Sequence, residues 1–210
     1  MARVLERSFR RSGLPLTYSE GFSPRPKLHF GLALSVGYES MAEYLDVDLV
    51  NDMDVDLLPG LLSPCLPVGI DVSAAAPIER SVASLQEAVV ACDWQMRLFD
   101  TPAGLAQAIQ RALGADELLL ERTRKSTVST DNVRPAIESI SMHDDVLFVR
   151  LVTAGRGLRP SEFLQALLPE RSVDELVGHV LRTHQWIEVD GERVEPIPNA
   201  DTELRTLVRA

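Results

Sequence analysis

The sequence predicts an α+β protein built from two units. Segments with the 3.6-residue period of a helix follow segments whose apolar and polar residues alternate as in a half-buried strand. The chain has 210 residues, of which 45% are hydrophobic and 25% charged, and its mean hydropathy is +0.01. This composition is typical of a globular protein that buries a core without disulfides.

The first predicted unit, residues 1–84, begins with an amphipathic helix over 2–12, which Gly13 and Pro15 end. After a loop rich in glycine and proline come predicted strands over 28–36 and in EYLDVDLV (43–50), a helix over 54–62 and a strand over 69–76. This order is that of a ferredoxin-like split βαβ unit that lacks its first strand. The missing strand would leave one sheet edge exposed.

The second predicted unit, residues 85–198, is an antiparallel sheet with helices on one face. Its predicted strands cover 91–99, 117–123, 132–141, 146–153 and 185–189. One helix is expected over 102–113, a second begins with Pro160 at the first helical position, and a third starts near Val173. Residues 199–210 form a predicted tail.

The formal net charge of −10 disfavours nucleic acid and anionic membrane as partners of the surface as a whole. Residues 1–30 are the exception, because they carry six basic and two acidic side chains. Cys65 and Cys92 belong to no Cys-x-x-Cys motif and have no histidine pair beside them, so we expect neither a metal nor a cofactor. Free cysteines, and a sequence without a long apolar run or a leader, predict a cytoplasmic protein that makes no contact with membrane.

The basic residues near the start of the chain predict an anion-binding face, because Arg3, Arg7 and Arg10 share one side of the helix and guanidinium pairs match phosphate geometry. Aromatic rings nearby would suit the stacking of unpaired bases. The predicted anion- or substrate-binding residues of this region are Arg7, Arg10, Arg11, Ser19, Gly21, Phe22, Arg25, Lys27 and His29. The alternatives are a solvated helix face, an acidic partner protein and, for Phe22, a place in the core.

Two further anion-binding positions are predicted in the second unit. Arg134 follows a predicted hairpin with a basic tip, which would contact an RNA backbone or serve solubility alone. That tip carries Arg122, Arg124 and Lys125. Arg159 stands with Arg156 at a glycine-rich helix start, where free backbone N–H groups favour an anion. The alternative there is a tight turn before the helix.

A catalytic site would need Asp46 and Asp48, which share a strand face, to converge with His29. The alternative is the solvated face of an antiparallel strand. His179 and His184 have no further metal ligand at a suitable spacing, and no serine has a recognisable base. Catalysis by the chain itself is therefore the least favoured hypothesis.

Several stretches carry a resemblance to a known family: YSEGFSPRPKLHFGLALSVGYES, EYLDVDL, NVRPAI, LRPSEFL and LRTHQW. From Arg3 to about Pro198 the chain resembles the radical-SAM-linked family, an uncharacterised bacterial domain. The resemblance implies that the domain is fused to, or encoded beside, cobalamin-binding radical SAM proteins, often near genes for ribonuclease G or E. Family members typically open with a strand and a Ser-His-Leu-Asp stretch, whereas this chain opens at MARVLERSFRR. We therefore expect a truncated N-terminus or a misassigned start.

Together these observations predict an accessory or substrate-presenting domain of a radical SAM system, with RNA as the favoured substrate. The partner implied by the resemblance, a radical SAM and cobalamin-binding protein, would supply the chemistry. The residues expected to hold the anionic substrate are Arg7, Arg10, Arg25 and Lys27. One alternative is a protein-interaction module that accepts a partner strand at the exposed sheet edge without touching nucleic acid. The other is an independent enzyme.

Overall fold

The computed structural model describes residues 2–79, 81–124 and 127–197 and confirms the α+β class. In chain order the elements are α1 (Ala2–Arg11), β1 (Leu28–Phe30), β2 (Glu39–Ser40), β3 (Leu45–Val47), α2 (Leu58–Leu62), α3 (Leu85–Ala88), β4 (Val89–Leu98), α4 (Leu105–Gly114), β5 (Leu119–Arg124), β6 (Thr127–Asn132), β7 (Ile137–His143), β8 (Val146–Val152), α5 (Pro160–Leu167), α6 (Val173–Leu176), β9 (Val177–Val189) and β10 (Glu192–Val194). No helix of the described residues is long and apolar enough to span a membrane.

The chain divides into two compact units, and the division does not follow chain order. Among the described residues, those from 2–32, 44–88 and 195–197 belong to the first unit, and those from 33–43 and 89–194 to the second. A short segment of the N-terminal half is therefore part of the second unit. The tail predicted over 199–210 lies outside the described residues.

The first unit is organised around α1, whose observed span confirms the helix predicted from the arginine spacing. Phe9 on its apolar side forms a buried core with Leu16 and Leu62, and Leu5 packs against that core. The helix ends before Gly13, which adopts a positive φ of 74°. With its apolar side buried in this way, the helix presents its arginines to solvent.

The sheet of the first unit is smaller than the sequence predicts. β1 and β3 form a two-stranded antiparallel ribbon, in which His29 lies opposite Asp46. The first strand was expected over 28–36 but ends at Phe30, because the chain passes into the second unit after Leu32. The alternating segment EYLDVDLV contributes only its three central residues to β3.

Two other predictions for this unit are corrected. The strand expected over 69–76 does not form. The N–H of Val72, which a strand would direct to a neighbouring strand, donates instead to Ser63 Oγ (2.9 Å). The first unit therefore holds a two-stranded ribbon in place of the expected three-stranded remnant of a ferredoxin-like sheet. The helix expected over 54–62 is a 3-10 turn over Val55–Leu57 that continues as α2.

The second unit contains the predicted antiparallel sheet, with strand order β10-β9-β4-β8-β7. Burial alternates along β8, so that Leu147, Val149 and Leu151 point into the core and the residues between them are only partly buried. Helix α5 begins with Pro160, as predicted, and buries Phe163 and Leu164. β5 and β6 pair as a separate hairpin.

The strand predicted over 132–141 is interrupted. Asn132 ends β6, a 3-10 turn spans Arg134–Ala136, and β7 begins at Ile137. Pro135 explains the break, because proline has no N–H to donate to a strand ladder. The strand predicted over 185–189 is the final part of β9, which is 13 residues long.

The segment 33–43 is held to the second unit by polar groups that are buried beneath it. β2 pairs in parallel with β9, and Ser40 lies opposite Arg182. The Arg182 side chain is 1% exposed, donates to the Glu43 carboxylate and lies 5.4 Å over the ring of Trp94. Gln185, also buried, donates to the carbonyl of Ala42.

Candidate anion-binding site

Helix α1 forms one wall of a concavity in the first unit. Residues three and four positions apart lie on the same side of a helix, so the sequence spacing alone brings Arg7, Arg10 and Arg11 together. The concavity has a volume of about 470 Å³ and is lined by Val4, Arg7, Ser8, Arg10, Arg11 and Pro67. Three of the predicted anion-binding residues therefore share one site.

Arg11 is held in place by uncharged acceptors. Its Nη2 donates to the carbonyl oxygen of Cys65 (2.5 Å) and lies 3.4 Å from Ser8 Oγ, and Ser8 is buried. Because neither acceptor carries a charge, these contacts position the guanidinium without neutralising it. Pre-orientation of this kind reduces the side-chain entropy that ligand binding would otherwise cost.

Arg7 and Arg10 are exposed, and neither forms an ion pair within the part of the chain that the structure describes. Glu6 lies four residues before Arg10 on the helix yet makes no ion pair with it. Arg10 and Arg11 occupy the last turn, where basic side chains also stabilise the negative end of the helix dipole. Arg7 lies one turn earlier, so this stabilisation does not account for it.

The loop that follows the helix is closed by hydrogen bonds across its base. Tyr18 and Pro26 form an antiparallel bridge. Ser19 N donates to the carbonyl of Arg25 (2.8 Å), and Arg25 N donates in return to Ser19 Oγ (3.1 Å). Phe22 stands at the tip and is fully exposed, at 109% of the reference area, so its alternative place in the core is excluded.

Lys27 and His29 meet over one carboxylate on the ribbon. Lys27 Nζ lies 4.0 Å and His29 Nε2 3.6 Å from the Asp48 carboxylate. Asp48 thus offsets part of the charge of Lys27, and this lysine adds less to an anion site than an unpaired one would. His29, Asp46 and Asp48 do converge, as the catalytic hypothesis requires; His29 is exposed and the two aspartates are partly buried. Across the described ranges, no group of three or more acidic, histidine or cysteine side chains could hold a metal.

A sequence profile of uncharacterised proteins conserved in bacteria, designated DUF2344, matches residues 1–160. The chain belongs to this family. The matched range includes α1, the loop and every predicted anion-binding residue. No curated protein sequence matches the chain. Membership in an uncharacterised bacterial family confirms that part of the resemblance seen in the sequence.

In this DUF2344 member, the side chain of Arg134 and the backbone N–H of Arg159 have partners within the chain. Arg134 donates to the carbonyls of Ile137 (2.7 Å) and Leu113 (2.9 Å), so its guanidinium joins the end of α4 to the start of β7. The N-terminus of α5, where Arg159 stands, already holds a carboxylate. Glu162 Oε2 accepts from the backbone N–H of Arg159 at 3.0 Å.

Sequence reasoning missed the role of Arg122, which it placed at a solvated hairpin tip. The side chain is 5% exposed and forms ion pairs with Asp131 (3.0 Å) and Glu162 (2.9 Å). The signal was present, because the strand pleat puts Arg122 on the same face as the buried Leu120. The side chain of Arg124, and Lys125, lie outside what the structure describes.

A second missed cluster lies on the less buried face of the second unit's sheet. Asp93 accepts two hydrogen bonds from Arg150, at 2.6 and 2.8 Å, and these bonds raise the pKa of the guanidinium. Arg150 also lies 5.0 Å over the ring of Trp186, on which His184 stacks. The residues come from three strands, so no local sequence pattern predicts the cluster. Because Asp93 balances Arg150, the cluster stabilises the sheet face and provides no unpaired positive charge.

Proposed function

We propose that this chain is an accessory module that holds single-stranded RNA in the concavity beside α1 and presents it to a radical SAM enzyme. The partner is inferred from the family resemblance, and the substrate from the site. The chain's own residues bind and orient the substrate, and the partner, with its iron–sulfur cluster and cobalamin, performs the reaction.

The observation that carries this proposal is a set of three guanidinium groups on one concave wall with no carboxylate paired to any of them in the described part of the chain. The protein as a whole carries a net charge of −10, so a cluster of three positive groups without carboxylate partners is atypical of its surface. Guanidinium groups donate to phosphate oxygens through a planar fork, and neighbouring groups can hold successive phosphates. Arg7, Arg10 and Arg11 supply this arrangement.

The rest of the lining supports an unpaired strand over a duplex. Val4 and Pro67 contribute apolar surface beside the guanidinium groups. Unpaired bases expose π faces that apolar surface can cover, whereas paired bases in a duplex are buried in the stack. Single-stranded RNA therefore matches the whole lining, because its phosphates suit the guanidinium groups and its accessible bases suit the apolar surface.

The proposal is tested by the affinity of a fluorescent single-stranded RNA for the double variant Arg7→Glu/Arg10→Glu. Loss of two charge-assisted contacts, at about 1.5 kcal/mol each, should weaken binding about 100-fold at low salt. The slope of log affinity against log salt should fall in magnitude by roughly 1.4, since each phosphate contact on a single strand contributes about 0.7.

Arg111→Glu is the matched control, because Arg111 is an exposed arginine in the last turn of a ten-residue helix, α4, in the second unit. It is compared with the single variant Arg10→Glu, which makes the same change of charge in the last turn of the ten-residue helix α1, and Arg111 does not line the concavity. Equal loss of affinity in the control would mean that net charge, not this site, governs binding. Unchanged affinity in the double variant would refute the RNA site.

The accessory role has its own test. The radical SAM protein that the family resemblance implies as partner should convert its RNA substrate faster with the wild-type chain than with the Arg7→Glu/Arg10→Glu variant. Conversion that is equally fast without the chain would refute the presenting role, even if the concavity binds RNA.

A further inference from the structure

The tip of the loop that follows α1 exposes a whole phenylalanine side chain. Phe22 has 109% of the reference exposed area, and none of the ring contacts in the described part of the chain involves it. The side chain contributes nothing to the core of the first unit, although an aromatic ring is among the groups most favourably buried. Folding therefore does not explain why the ring is where it is.

The loop holds this ring in a defined place. Beyond the bonds that join Ser19 and Arg25, the N–H of Lys27 donates to the carbonyl of Thr17 (2.9 Å) and extends the closed base. Gly21 adopts a φ of 118°, which side chains rarely allow and which turns the chain just before the ring. A loop already closed in this way loses little entropy when its tip is bound.

We infer that the loop is a docking anchor, which inserts Phe22 into an apolar pocket on a partner protein whose rim bears both a positive and a negative group. The exposed residues Glu20 and Arg25 flank the tip in the sequence, and their side chains would pair with that rim. A pocket covers both faces of the ring, and an aromatic anchor surrounded by a polar rim is the usual centre of a protein interface.

The charges around the tip favour protein over RNA as the occupant. Glu20 lies two residues before Phe22 and repels phosphate, and Arg25 only offsets it. Asp48 offsets part of the charge of Lys27. The tip is therefore close to neutral, in contrast to the concavity beside α1, and lacks the excess of positive charge that drives nucleic-acid binding.

The identification of the partner as the radical SAM enzyme rests on the proposed function. The anchor assigns separate surfaces of the first unit to the two ligands: the concavity to RNA and the loop tip to the enzyme. The two assignments can fail independently, because different residues carry them.

The first arm of the test measures the dissociation constant between the full chain and the purified radical SAM protein. Phe22→Ala should raise it about 30-fold, the lower limit for an aromatic hot spot, and Phe22→Trp should retain most of the affinity. The melting temperature of Phe22→Ala should equal that of the wild type, because the ring buries no area in the folded chain. The matched control is Phe99→Ala, which removes a 68% exposed phenylalanine of the second unit.

The second arm places the photo-reactive amino acid benzoylphenylalanine at position 22 and irradiates cells of the native host. A crosslink to an apolar pocket of the radical SAM protein supports the anchor. A crosslink to another protein supports it only if that protein, once purified, loses affinity for Phe22→Ala. Crosslinks to RNA alone, or none, overturn it.

The two proposals fail in different ways. Unchanged binding of Phe22→Ala to the radical SAM protein would overturn the anchor and leave the accessory role intact. A wild-type chain that does not bind the radical SAM protein, but crosslinks from position 22 into a pocket of another protein, would overturn the accessory role and leave the anchor intact.

Discussion

The ion pair between the buried Arg182 and the half-exposed Glu43, which holds residues 33–43, leads to different predictions for its two members. Glu43 is 52% exposed and Arg182 only 1%. Judged by exposure alone, a substitution of Glu43 would cost less stability than a substitution of Arg182. We predict the opposite: Glu43→Ala destabilises the second unit more than Arg182→Met does.

The magnitude follows from which charge is left behind. Breaking a fully buried pair costs about 3–5 kcal/mol, because the remaining charge is stranded. Since Glu43 is half solvated, we expect about 2–3 kcal/mol for Glu43→Ala, which deprives the buried guanidinium of this carboxylate. Arg182→Met leaves only the exposed carboxylate and retains most of the side-chain volume. It should cost about 1 kcal/mol, mainly the contact with Trp94.

Urea unfolding followed by tryptophan fluorescence measures the difference. The chain has two tryptophans, and both Trp94 and Trp186 lie in the second unit, so the signal reports on that unit alone. With a slope of about 2 kcal/mol per molar urea, Glu43→Ala should lower the midpoint by about 1 M. In the Arg182→Met background, Glu43→Ala should cost almost nothing. A larger cost for Arg182→Met, or a Glu43→Ala cost that persists in that background, would refute the reasoning.

Two further predictions concern buried groups of the second unit. Burial raises the pKa of the Cys92 thiol from 9.0 to about 11. Above pH 9 the unfolded chain therefore loses this proton before the folded chain does, and the free energy of unfolding should fall by about 1 kcal/mol at pH 10. The fall should be absent from Cys92→Ala, and an equal fall there would assign it to other groups. Glu162→Gln should cost about 1–2 kcal/mol in urea unfolding, because it weakens the pairing of the buried Arg122. The nearby exposed Glu121→Gln should stay within about 0.5 kcal/mol of wild type, and equal costs in the two variants would contradict the role of Glu162.

The parts of the fold that the sequence predicted are those in which a local pattern and the tertiary environment agree. Helix α1 and strand β8 have a continuous apolar stripe that meets a core, so periodicity was a sufficient guide. The strand expected over 69–76 has suitable residues but no neighbouring strand to pair with. Likewise β1 stops early because the chain crosses to the other unit at Leu32, and no local pattern records that crossing.

The candidate site divides in the same way. Arg7, Arg10 and Arg11 could be grouped from their spacing, because a helix places them within one or two turns of each other. The opposite wall could not, since Pro67 and the carbonyl of Cys65 come from a segment more than fifty residues later. The exposure of Phe22 could not be predicted either, because a phenylalanine in a loop is equally compatible with a place in the core.

By itself the sequence determined the α+β class, the basic face of the first helix and the membership of an uncharacterised bacterial family. Only the tertiary structure decided which arginines keep their charge unpaired. Arg122 meets a carboxylate 40 positions away and Arg182 one 139 positions away, whereas Arg7 makes no ion pair in the described part of the chain. The physical reason is that either water or a carboxylate can satisfy a guanidinium group, and only the folded chain determines which of the two surrounds it.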